Sequence, residues 1–166
     1  MSSAWSYRRL KRLLPKTPLL KPGNAEDRHL LKVPQFVGTP GWLLLTHNEA
    51  GDPIAMFADL RDHIELVYLV MDERMFSDTL LRVVKLGPWR YVVYDVPVLN
   101  GKSIHETLSY RDRQSKLEGL LDLFHFPDLI ALETPDQVSL WDTPLRGYEH
   151  YDEDPGSLGV FCPEKE

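Results

Sequence analysis

The stretch from Trp89 to Phe124, WRYVVYDVPVLNGKSIHETLSYRDRQSKLEGLLDLF, constrains the fold more tightly than any other part of the chain. Trp89 to Val98 is dense in β-branched and aromatic side chains, which suit a pleated strand. Asn100-Gly101 follows, a pair that tolerates positive φ and so marks a tight turn. Leu117, Leu120, Leu121 and Phe124 then recur at helical spacing, and Ser109 stands where it can cap the helix. The stretch reads as strand, turn and helix.

Short strands recur before it. Residues 41–46 (GWLLLT) predict a buried strand, residues 47–53 a turn, and residues 54–58 the return strand of a hairpin. Residues 63–70 (HIELVYLV) predict a further strand, apolar on both faces at its end and so expected at the sheet centre. Residues 72–77 fit one helical turn, and 79–86 pair with 89–98 across Gly87-Pro88. After the helix, residues 129–133 predict a strand, 134–140 a short helix, 147–155 an acidic loop and 158–161 a last strand. Short strands without a βαβ repeat favour antiparallel sheets in a mixed α/β (α+β) chain.

Residues 3–14 predict an amphipathic helix with Leu10, Leu13 and Leu14 as its apolar stripe. Arg8, Arg9, Lys11, Arg12 and Lys16 make this the most basic part of the sequence. It reads as a phosphate-contacting arm, a nuclear-import signal, a docking surface for a protein partner or a solvated face. Pro15, Pro18, Pro22, Pro34 and Pro40 break residues 15–40 into loops. The 166 residues read as a single domain, with 1–40 a basic helix and a proline-rich wrapping segment.

A formal net charge of −6 argues against a generally basic nucleic-acid-binding surface but leaves room for a local patch. The single cysteine, Cys162, excludes an internal disulfide and a multi-cysteine zinc site. No apolar run approaches the roughly 20 residues that span a bilayer, and residues 1–14 lack the apolar core of a signal peptide. An intracellular location, cytoplasm or nucleus, with no membrane partner, is the expectation. His29, His63, His105, His125 and His150 show no metal-ligand spacing. Glu149 with Asp152, Glu153 and Asp154 reads as a solvated acidic loop. The residues themselves point to no metal site.

Tyr94-Asp95, Leu99-Asn100-Gly101, Leu108, Arg111, Arg113 and Leu117 together resemble one segment of the covalent nucleotidyltransferases. These are the ATP-dependent DNA and RNA ligases and the GTP-dependent mRNA capping enzymes. The resemblance implies antiparallel sheets around a nucleotide cleft, with ATP or GTP as bound ligand and magnesium in attendance. In that family a lysine in Lys-x-Asp-Gly attacks the nucleotide α-phosphate from the end of an early strand. Here Thr46-His47-Asn48-Glu49-Ala50-Gly51 stands in its place, and His47 is the one stand-in nucleophile. The family's Asp-Gly-Glu is matched by Asp78-Thr79-Leu80, which keeps the aspartate and loses the glutamate. Residues 157–161 keep a late glycine and strand without the adjacent carboxylate, and a final Lys-x-Lys has no match.

Losing the lysine, an acid and the phosphate lysines together argues against nucleotidyl transfer. The snurportin cap-binding domain is similar in this respect, a capping-enzyme-like fold that binds a cap without the lysine. The resemblance therefore implies a degenerate domain that binds a nucleotide, RNA end or mRNA cap. Tyr94 would stack on the base and Asp95 support it, while His47, Arg111 and Arg113 would contact phosphate or a partner. Trp42, Trp89 and Tyr91 are further aromatics expected near the cleft. Two other readings stay open. One is an active ligase or guanylyltransferase using His47. The other is a scaffold subunit that binds no nucleotide.

Overall fold

A computed structural model describes residues 2–13, 21–22, 31–69, 73–121, 130–151 and 160–163. The chain runs α1 (Ser2–Leu13), β1 (Lys21–Pro22), β2 (Leu31–Phe36), β3 (Thr39–His47), β4 (Pro53–Asp59) and β5 (Ile64–Val67). It continues through β6 (Thr79–Gly87), β7 (Arg90–Leu99), β8 (Lys102–Ser103) and α2 (Tyr110–Leu121). The last elements are β9 (Ala131–Glu133), β10 (Leu145–Tyr151) and β11 (Val160–Pro163), with single 3-10 turns at 73–76, 104–106 and 135–137. Among the described residues, no helix is long and apolar enough to cross a membrane.

The strands form a larger sheet in the order β5-β4-β3-β6-β7-β8, with β9 parallel to β7, and a smaller one in the order β1-β11-β10-β2. Apart from β9 on β7 and β1 on β11, the pairings are antiparallel. β3 lies inside the larger sheet, so its run 41–46 is buried on both faces. Leu43 and Leu45 join Phe57, Val83 and Val93 on the face that α2 covers through Leu117. Trp42 and Leu44 join Met56 and Leu80 on the opposite face, which α1 covers through Leu10. Beside α1 on that face, Phe36 of the smaller sheet packs on Val84, Val92 and Tyr94.

The 89–124 stretch folds as its sequence suggests. Asn100 and Gly101 take φ of 48° and 83°, and they form the two-residue loop between β7 and β8. Ser109 Oγ accepts the Asp112 N–H at 3.2 Å and caps α2. β7 carries a bulge: Leu80 pairs with Val98 but Arg82 with Asp95, so β7 has one residue more over that interval. Pro97, which has no N–H to give the ladder, sits within that irregular interval. Phe124 lies outside the described residues.

Two expectations are corrected. The 63–70 strand is not central: β5 ends at Val67 and forms a sheet edge, with Leu66 and Tyr68 54% and 81% exposed. Glu65 interrupts its apolar run, so only Val67 of this strand is buried. Residues 147–151 are not a loop but most of β10, and Gly147, Glu149 and Tyr151 alternate inward. Asp152, Glu153 and Asp154 lie outside the described residues, as do the helical turn expected at 25–31 and Leu14.

Leu117 is 1% exposed and is the fully buried apolar contact of α2 with the sheet, beside partly buried Leu120 and Leu121. Leu117→Ala is expected to cost about 2–5 kcal/mol in a denaturant titration, while Lys116→Ala on the exposed side stays within roughly 0.5 kcal/mol of the parent.

Candidate functional site

Tyr94, Asp95 and Arg113 are all buried, and Asp95 meets Arg113 inside the protein. Arg113 donates from Nε to Asp95 Oδ1 at 2.8 Å and from Nη2 to Oδ2 at 3.0 Å, a two-pronged bond. Its Nη1 donates to the Leu108 carbonyl at 2.9 Å. Asp95 Oδ1 also accepts the Val96 N–H at 2.8 Å, which holds the β7 bulge. Arg113 and Asp95 are 0% and 2% exposed, so the pair is a structural latch between α2 and β7. Arg111 lies nearly opposite on the same helix and is exposed.

Tyr94 is 0% exposed. Its hydroxyl donates to the Pro34 carbonyl at 2.9 Å and accepts the Phe36 N–H at 3.3 Å, both on β2. The smaller sheet therefore sits where a base would have to stack. A ligand reaches this ring only if the two sheets part. The stacking role expected for Tyr94, and the phosphate role expected for Arg113, are not what this geometry provides.

The interior around Tyr94 holds a polar network that sequence reasoning missed. Glu149 of β10, 0% exposed, accepts from Gln35 Nε2 at 2.9 Å and from the Tyr151 hydroxyl at 2.5 Å. Arg82 of β6 lies 3.7 Å from the same carboxylate and 5.7 Å from the centre of the Tyr94 ring. Tyr110 stacks on Tyr151 with ring centres 3.8 Å apart, and its hydroxyl donates to the Tyr94 carbonyl at 2.9 Å. Gln114 Nε2 donates to that carbonyl at 2.6 Å. The sequence carries no signal for Glu149 and Tyr151, since Gly147-Tyr148-Glu149-His150-Tyr151 shows no apolar alternation.

His47 stands elsewhere. It is half-buried at the end of β3, opposite Pro53 of β4. Tyr94 lies near the level of Trp42 on the neighbouring strands, so His47 is five residues further along, roughly 17 Å in strand rise. Beside His47, the Thr46 hydroxyl donates to Asp78 Oδ1 at 2.6 Å, and Arg9 Nη1 of α1 donates to both Asp78 oxygens at 3.0 and 3.1 Å. The residues at the lysine position and at the acidic-motif position thus adjoin, 32 residues apart in sequence. The Asp78 carboxylate is engaged by these donors, and among the described residues no group of three or more His, Cys, Asp or Glu could hold a metal. Around Asp78, the described residues do not fit a resident magnesium.

The outer side of α1 carries the opposite chemistry. A cavity of about 490 Å³ is lined by Tyr7, Arg8, Lys11 and Arg12. Lys11 lies 5.1 Å over the Tyr7 ring and donates to Asp62 at 2.9 Å. That bond to Asp62 raises the Lys11 pKa above its ordinary value, which keeps it cationic rather than nucleophilic. Trp42 is buried beneath α1, Tyr91 packs edge-on against Phe57 at 5.6 Å, and Trp89 is 56% exposed at the β6–β7 turn. None of the three lines this cavity.

Burial pushes Tyr91 up to about 12 and holds Tyr94, Tyr110 and Tyr151 further above the ordinary tyrosine value, with the Glu149 charge adding to the last three. A raised folded pKa stabilises the fold below the unfolded value of 10.0, and that stability is lost as pH climbs past it. Denaturation midpoints are expected to hold to about pH 9.5 and then fall, by about 1.4 kcal/mol per pH unit for each tyrosine that ionises only on unfolding. Absorbance at the phenolate band during the same titration checks that these rings ionise with the unfolding transition. Asp95→Ala leaves Arg113 buried without its partner and is expected to cost about 3–5 kcal/mol in the same assay. Comparison with known proteins gives no match, either to a family model or to a curated relative.

Proposed function

We propose that the chain is a catalytically degenerate, nucleotidyltransferase-like domain that binds a nucleotide or the phosphate-bearing end of an RNA on helix α1. The observation that carries this reading is the cavity on α1, where one aromatic ring and three cations share a wall. Cations that follow a phosphate chain, joined to an aromatic face for a base, are the chemistry of single-strand and nucleotide recognition. The patch stands out on a chain whose formal net charge is −6.

The likeness to ligases and capping enzymes supports the ligand class, and the contact of Thr46 with Asp78 is in keeping with it. The case for binding without chemistry rests on the groups at that contact. A lysine nucleophile needs a depressed pKa and cationic help with phosphate charge. At the lysine position stand Thr46, whose hydroxyl is tied to Asp78, and half-buried His47. Tyr94 and Asp95 serve the interior instead of a base.

Calorimetric titration with ATP, GTP, a methylated cap analogue and a short 5′-triphosphate RNA tests the reading. At least one is expected to bind, with affinity falling as salt rises. Arg8→Glu with Arg12→Glu is expected to weaken binding at least ~10-fold, and Tyr7→Ala by about 5–150-fold, the range for one base stacked on an aromatic ring. Tyr94→Phe is expected to leave the affinity unchanged. Silence from every ligand, or binding indifferent to the arginine changes, would overturn the reading. A labelled nucleotide that stays on the chain through denaturation and is lost in His47→Ala would establish the enzyme alternative in its place.

A further inference from the structure

The larger sheet ends on β5, and among the described residues no strand pairs with its outer side. An open edge offers a row of backbone donors and acceptors to any strand that fits. Natural edges are commonly blunted by lysine or proline, and Ile64-Glu65-Leu66-Val67 holds neither. Beside exposed Glu65, it shows solvent two large apolar side chains: Leu66 is 54% exposed and Tyr68, one residue beyond the strand, 81%.

The pairing with β4 fixes which backbone groups face out. Asp59 N–H donates to the His63 carbonyl, so that opposite pair is a bonded one. Bonded and non-bonded pairs alternate along an antiparallel ladder, so Phe57–Glu65 and Ala55–Val67 are bonded and turn their groups inward. Ile64 and Leu66 belong to the other set and turn theirs outward, and Tyr68 continues the alternation. The same three side chains share the face of the sheet on which Ile64 packs beside α1.

We propose that this edge pairs with β5 of a second copy of the chain, antiparallel and about a two-fold axis at Leu66. Leu66 then faces Leu66 of the second copy, and Ile64 faces Tyr68 on either side, all three as bonded pairs. The exposed apolar residues cover one another, and Glu65 lies opposite Val67. The register centred one residue earlier sets Glu65 directly against its own copy, a like-charge pair that opposes it. Glu65 is in addition engaged by Lys85 within its own copy. This pairing is independent of the ligand reading, since α1's cavity lies on other residues.

Light scattering after size exclusion, at about 50 µM chain, reads the state directly. Twice the 19.2 kDa chain mass is expected for the parent. Leu66→Pro removes an outward N–H and spares the bonds to β4, and it is expected to elute as a folded monomer. Leu66→Lys places two like charges across the axis and is expected to weaken the dimer at least ~10-fold. Its side chain rests in solvent on the single chain, so it keeps the test readable if the proline variant does not fold. Glu65→Ala is expected to change the dissociation midpoint by less than about twofold, since Glu65 faces Val67. A parent that runs at one chain mass, variants at Leu66 that dimerise like the parent, or a Glu65→Ala dimer that tightens strongly would each overturn the proposal.

Discussion

A charge removed from water costs several kcal/mol unless another group meets it, and this chain buries four of them side by side. Arg113 and Asp95 join α2 to β7, while Arg82 and Glu149 join the larger sheet to the smaller one. Tyr94, Tyr110, Tyr151, Gln35 and Gln114 fill the space between the two pairs with hydrogen bonds. Two positive and two negative groups cancel there. Arg82 Nε has no hydrogen-bond partner among the described residues, and the remaining groups meet one another, so removing one part exposes the others to the full desolvation cost. The network therefore fixes one arrangement of the two sheets and α2 more sharply than the apolar contacts around it could.

That arrangement decides what the molecule can do with the residues its sequence brings to notice. The bulge in β7 turns Asp95 toward Arg113, and the fit of β2 over Tyr94 closes the ring off from solvent. The Asp95–Arg113 and Tyr94 contacts serve here to hold the fold. The proposed binding then falls to the surface, where α1 presents Tyr7 with Arg8, Lys11 and Arg12. The inner side of the same helix anchors it, through Leu10 in the apolar cluster and Arg9 on Asp78. One helix thus ties the sheet end to the proposed site.

Much of this was legible from local chemistry. Asn100-Gly101 announced its turn, Ser109 its cap, GWLLLT its buried strand, and the leucines of 3–14 their helix, because each depends on a few neighbouring residues. What stayed hidden depends on distant partners. Glu149 looks like one more acid in GYEHYDEDP until β2 supplies Gln35 and β6 supplies Arg82. HIELVYLV looks central until, among the described residues, β4 is its one neighbour in the sheet. Tyr94 looks like a stacking platform until Pro34 and Phe36, some 60 residues earlier, are seen to bond its hydroxyl.

The sealing of Tyr94 and the ligand contact proposed for half-buried Tyr7 are the central claim, and fluorine NMR on 3-fluorotyrosine protein reads both at once. Signals assigned by Tyr7→Phe and Tyr94→Phe are followed while GTP, ATP or a triphosphate RNA is added to saturation. The account predicts that the Tyr7 resonance moves with ligand and that the Tyr94 resonance does not. A saturable shift at Tyr94 with Tyr7 unmoved would contradict it, and would place the base between the two sheets.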